Sequence, residues 1–160
     1  ETAPRVAVLP ASIPDTLALP GGIFVINAGL VEDHETPEVL AGYLLAEDVR
    51  RSDTDPMLTL LSEAGLGTTL RLLTTGEIDT DTLQAHAVSL LSQETGPVED
   101  AALLSRFATA EISTAAYAFA RDITGETTLT LIEGNPIRSG RTEPLLSDAD
   151  WITLQDICGR

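Results

Sequence analysis

Between Leu17 and Arg51 the chain sets a turn, a strand, a loop and a helix in close succession, and few architectures accept that order at that spacing. Pro20-Gly21-Gly22 reads as a turn, because proline fixes one backbone angle and the glycines admit conformations closed to other residues. The turn launches residues 22–28 (GIFVINA), whose β-branched and aromatic density favours a strand over a helix. Glu32 to Glu35 form an acidic loop. Thr36 then stands as an N-cap, with Pro37 at the first helical position and Glu38 behind it, so a helix is expected to run to about Ser52. A small sheet beside that helix places the chain in the α+β class.

The rest of the chain is read as mostly helical. Residues 5–9 (RVAVL) form a short strand closed by Pro10 and Pro14. Met57 to Leu73 is apolar and interrupted by Gly65 and Gly67, which predicts two short helices. Further helices are expected over Asp79–Gln93, Glu99–Ala110 and Ser113–Asp122. Thr127 to Ile132 alternates and is β-branched, which predicts a strand, although a helical end at Gly134-Asn135-Pro136 is the other reading. Ile137 to Glu143 is an arginine-containing loop. Ser147, with Asp150 three residues later, makes a capping box that opens a last helix to Cys158.

With 160 residues the chain is read as a single domain, with a motif region over 5–97 and a helical C-terminal part over 98–160. Its 43 % hydrophobic content supplies a core. Twenty-five acidic residues stand against nine arginines and no lysine, a net charge of −16 that repels phosphates and excludes nucleic acid as a natural partner. The same charge disfavours anionic lipid headgroups. No apolar run is long enough to span a bilayer, so membrane contact is expected only through a segment outside this sequence, upstream of Glu1. A lone cysteine, Cys158, forms no internal disulfide and is expected in the core.

The segments TLALPGGIFVINAGL and TPEVLAGYLLAEDVRR together resemble the zinc metallopeptidase family of the CAAX prenyl endopeptidases and HtpX-type proteases, which are gluzincin-like. In that family a strand of the form A-x-x-LPGG-x-I-x-V-x-x-GLL precedes a helix of the form LAxVLAHExxH. Leu19, Pro20, Gly21, Gly22, Ile23, Val25, Gly29 and Leu30 fit the first pattern, and Leu40, Ala41, Gly42, Leu44 and Glu47 fit the second. The resemblance implies a zincin-like domain. It also places the two zinc histidines at Ala46 and Arg50 and the general base at Glu47. Two histidines four residues apart share a helix face and reach one metal, while the glutamate takes a proton from the metal-bound water. Alanine has no donor atom, and arginine is always cationic.

For the third ligand, a glutamate on a later helix in this family, two registers are open. One puts Thr80 at the ligand and Gln84 at the accompanying aspartate; the other puts Glu77 and Asp81 there. Ser147-Asp148-Ala149 stands where the family often carries Ser/Thr-His-Pro. The resemblance therefore implies a degenerate member without zinc or any other cofactor, with Glu47 paired to Arg50 or Arg51 across one or so helical turns. His34 is read as a solvated loop residue. His86 is read as a hydrogen-bonded, partly buried histidine, with an accessory role at the old metal cleft as the alternative. In peptidases of this fold an edge strand pairs with extended substrate, and backbone pairing needs no metal. The implied groove runs along Gly22, Ile23, Phe24, Val25, Ile26 and Asn27, and the implied partner is a peptide or protein.

Two other functions stay open: an active metal-dependent peptidase with a remade site, and a structural module of a larger envelope protein. A bacterial envelope or periplasmic location is implied by the resemblance alone. No nucleophile elbow (GxSxG) exists, and Gly65-Leu66-Gly67 is followed by no GK[ST], so serine hydrolase and phosphate-loop chemistries find no motif. The purified chain is expected to carry no stoichiometric zinc by elemental analysis; about one zinc per chain, held against a mild chelator, would overturn the pseudopeptidase expectation.

Overall fold

The computed structural model describes residues 4–10, 13–92, 95–138 and 142–158. It is α+β, with a three-stranded sheet packed beside helices. Strands β1 (Arg5–Leu9), β2 (Thr16–Leu19) and β3 (Ile23–Asn27) lie in the order β1-β3-β2. β3 is central, parallel to β1 and antiparallel to β2. Pro20-Gly21-Gly22 closes a β2–β3 hairpin that pairs Leu19 with Ile23. Gly21 and Gly22 take φ of +85° and +72°, which other residues reach only with strain.

The expected strand over residues 22–28 stops one residue early, because Asn27 caps a short helix α1 (Ala28–Glu32). Its Oδ1 accepts from the Gly29 N–H at 2.8 Å, and its Nδ2 donates to the Ile13 carbonyl at 2.9 Å. α2 (Pro37–Asp53) comes next, as expected; Thr36 sits at the N-cap without a side-chain cap bond. The two helices expected over Met57–Leu73 are present as α3 (Pro56–Thr75), two helical segments that meet at a kink where Gly65 is non-helical (φ 80°, ψ 175°). α4 (Thr80–Ser92), α5 (Asp100–Ala110) and α6 (Ala115–Arg121) fall within the helices read from sequence.

Thr127–Ile132 is not a strand. It is α7 (Leu129–Glu133), whose Leu131 is buried while Leu129 is exposed. Two hydroxyl bonds hold it there: Thr114 donates to the Leu131 carbonyl at 2.6 Å, and Thr128 donates to the Ala118 carbonyl at 3.2 Å. Helix packing overrides β-branched propensity at this site. α8 (Asp148–Gln155) opens at Ser147 as expected, with Ser147 Oγ accepting from the Asp150 N–H and donating to its carboxylate at 2.6 Å. The Ile137–Glu143 loop falls partly outside the described residues, and so does the Cys158 side chain.

α2 is the organising helix. One core cluster joins its Ala46 and Val49 to Leu103 and Phe107 of α5, Tyr117 and Ala118 of α6, and Leu131 of α7. A second joins Leu40 to Ile26 of β3, Leu30 and Val31 of α1, and Trp151 of α8. Tyr43 packs against both clusters and meets Tyr117 edge-on, with ring centroids 5.1 Å apart. By contrast α3 buries only Leu60, and Leu66, Leu70 and Leu73 stand exposed along it. Among the described residues no helix is long and apolar enough to cross a membrane.

α2 and α6 pack tightly at Gly42, where an added Cβ would lie 2.4 Å from Tyr117 Cβ. The obstacle is the root of a buried side chain, which cannot swing away. Gly42→Ala is therefore expected to destabilise the fold by about 1–3 kcal/mol or more, as overpacked cores do. The measurement is the urea midpoint at unchanged m-value; an unshifted midpoint would show that the two helices separate freely.

Candidate functional site

A cleft of about 360 Å³ opens beside the C-terminal half of α2. Its walls are β2 (Thr16, Leu17, Ala18), α2 (Glu47, Arg50, Arg51), the start of α3 (Pro56, Thr59), α4 (His86, Leu90) and residues 95–97. β2 forms a wall because it is an edge strand. Asn27 N–H donates to the Asp15 carbonyl, so the register places Leu17 in a hydrogen-bonded pair with β3 and turns the backbone groups of Thr16 and Ala18 to the outer edge.

Glu47 meets that edge. Ala18 N–H donates to Glu47 Oε1 at 2.8 Å, Thr16 Oγ1 donates to Oε2 at 3.2 Å, and Arg50 Nη1 donates to Oε2 at 2.7 Å. Arg50 Nε donates in turn to the Gly96 carbonyl at 3.0 Å. The carboxylate side chain is 10 % exposed and the guanidinium side chain 19 %, so the pair is largely withdrawn from water. The ion pair expected from the spacing thus forms with Arg50. Arg51 instead lies 5.6 Å from the Phe24 ring centroid, as a cation over an aromatic face. Three donors, one of them cationic, thus occupy the two oxygens of this carboxylate.

The four positions implied as metal ligands do not converge. Ala46, a turn before Arg50, has no exposure and belongs to the core, where an imidazole would have to displace neighbouring side chains. Glu77 and Thr80 are both exposed and neither lines the cleft, so neither register brings its residue to the site. Among the described residues no three histidine, cysteine, aspartate or glutamate side chains are grouped to hold a metal. α4 instead presents His86, 7 % exposed, whose Nδ1 lies 2.7 Å from Glu63 Oε2 on α3. That contact ties α4 to α3 and makes His86 a partnered wall residue. His34 lies outside the cleft, stacked 6.3 Å from the Tyr43 ring.

The groove expected along Gly22–Asn27 also needs correction. β3 is paired on both sides, so its backbone is closed to a further strand. Asn27 is spent on capping α1. The strand that faces the cleft is β2, which the sequence reading passed over. Its signal was present: apolar TLAL stands immediately before the Pro-Gly-Gly turn and mirrors IFVI after it, the pattern of a hairpin.

A smaller chamber of about 200 Å³ adjoins the cleft past Arg50 and is lined by Asp15, Tyr43 and Arg121 together with Thr16 and residues 95–98. Burial, and then the nearby Asp15 charge, raise the Tyr43 pKa, which keeps its hydroxyl protonated. Burial alone would weaken Arg121 as a base, but Tyr117, Tyr43 and Asp15 outweigh it and raise its pKa. No family model, curated protein or solved structure matches this chain.

The Glu47 cluster dictates a stability hierarchy. Glu47→Ala strands the Arg50 guanidinium and the Ala18 N–H, and is expected to cost about 3–5 kcal/mol, as breaking a buried pair does. Glu47→Gln keeps an acceptor for one donor but sets an amide against Arg50, and is expected to cost about 1–3 kcal/mol. Equal, near-zero costs in chemical denaturation would mean that the carboxylate is solvated and the cluster is not structural.

Proposed function

We propose that this chain is a non-catalytic, metallopeptidase-like module that binds a peptide or an extended protein segment in the cleft beside β2. The observation that carries the reading is the state of Glu47. At the position of the family's general base it is bound by Arg50, Ala18 and Thr16, while an open cleft persists next to it. A side chain locked into the scaffold favours binding over chemistry, and the cleft supplies the concave surface that binding needs.

The mode of recognition differs from full strand addition. The Ala18 N–H, which an incoming strand would use, is already held by Glu47. A ligand therefore pairs with β2 over part of its length at most, and draws its remaining contact from Pro56, Thr59, Leu90 and Pro97 on the other walls. Such a mixture of partial backbone pairing and side-chain contact suits a short extended segment.

A pool of random-sequence octapeptides separates this reading from its two rivals. Added to the full chain, the pool is expected to slow amide hydrogen exchange over residues 15–19 and 95–98 and to remain uncleaved by mass spectrometry. Cleavage that Glu47→Gln abolishes would establish a remade peptidase instead. No protection anywhere and no cleavage would leave a structural module.

A further inference from the structure

We infer that the chamber beside Arg50 captures the terminal carboxylate of the bound peptide, with Arg121 as the principal anchor. The inference rests on the peptide-binding reading above and adds the ligand's chemical class and its direction in the cleft.

Placement is the first support. The chamber shares Thr16, Arg50 and residues 95–97 with the main cleft, so a segment lying along β2 runs past Arg50 into it. At about 200 Å³ it has room for a chain end and little more.

The lining is the second. Arg121 Nη1 donates to the Tyr117 hydroxyl at 2.9 Å, and its guanidinium lies 5.8 Å from that ring's centroid. Tyr117 is 1 % exposed, so the arginine is seated on an immobile partner. Among the described residues Arg121 makes no ion pair, and its Nε and Nη2 hydrogens remain as a fork for a carboxylate. Arg50 spends Nε on Gly96 and Nη1 on Glu47, which leaves its Nη2. Tyr43 adds a hydroxyl at the wall. Guanidinium groups with N–H donors left unspent are the side chains suited to hold a carboxylate.

Charge is the third. The chain has nine arginines and no lysine against 25 acids, yet Arg50, Arg51 and Arg121 line these two adjoining cavities with only Glu47, Asp53 and Asp15 beside them, so arginine is enriched there relative to the chain. Asp15 also lines the chamber; like Arg121 it is exposed, and the two form no ion pair. Glu47 offsets Arg50 and does not reach Arg121 as an ion-pair partner.

The test uses N-acetylated octapeptides of random sequence, made as free acids and as C-terminal amides, mixed equally and equilibrated with the full chain by dialysis. Mass spectrometry of the retained fraction gives the acid-to-amide ratio. Free acids are expected to be enriched about tenfold or more, the effect of a charged hydrogen-bonded contact. Arg121→Gln is expected to abolish the preference and Arg121→Lys to retain part of it, each variant checked for an unchanged fold by circular dichroism. Should Arg121→Gln fail to fold, the comparison of wild type with Arg121→Lys and Tyr43→Phe carries the test, each expected to lower the ratio. Equal retention of acids and amides overturns the carboxylate pocket and leaves peptide binding standing. A preference unchanged in every variant that folds places the carboxylate elsewhere and overturns the assignment. No retention of either form above a protein-free control overturns both readings.

Discussion

Glu47 gathers the Ala18 N–H of an edge strand, the Thr16 hydroxyl and the Arg50 guanidinium, and Arg50 passes the connection on to Gly96. Strand, helix and the connection between α4 and α5 are thus joined by one charged network centred on a single carboxylate. Ion pairs withdrawn from water rarely contribute net stability, because desolvation offsets the attraction; removing one partner is nevertheless costly, since the other stays buried and unpaired. Such a network favours a single arrangement over near alternatives. It also covers an edge N–H that would otherwise invite pairing with any passing strand.

α2 couples this network to the two cores. Ala46 and Val49 look into the α5–α7 cluster, Leu40 into the cluster under the sheet, and Glu47 and Arg50 into the cleft. Tyr43 stands where all three meet, since it packs on both cores and lines the small chamber. Tyr117 links the same regions from the other side: it presses on Gly42, packs at a tilt against Phe107 and seats Arg121. Tyr43 and Tyr117 therefore tie one side of the chamber to the core.

Much of this was legible in the sequence. Pro37 after Thr36 announced α2, glycines announced the hairpin turn and the bend at Gly65, and the spacing of Glu47 and Arg50 announced their pairing. What was not legible depended on which neighbours arrive. Thr127–Ile132 alternates like a strand, but buried hydroxyl bonds from Thr114 and Thr128 fix it as a helix. β3 looked like an accessible strand until β1 and β2 enclosed it. Ala46 and Arg50 share a helix face by arithmetic, yet one looks into the core and the other into the cleft, because a face as wide as a core stripe straddles the boundary between them. Arg121 and Tyr43 lie far apart along the chain, and nothing local joins them.

The exposed leucines of α3 give the chain's acidity a physical role. Leu66, Leu70 and Leu73 recur at one-turn spacing on the segment of α3 beyond Gly65, which buries no residue, a stripe that two colliding molecules would gain by bringing together. A charge of −16 on each molecule opposes that approach at long range. The balance has an unusual sign: dissolved salt shortens the repulsion to about 8 Å at physiological strength but leaves the apolar attraction intact. Ionic strength thus acts on this surface as a dial for crowding, loosening the barrier between neighbours while each molecule's fold stays as it is.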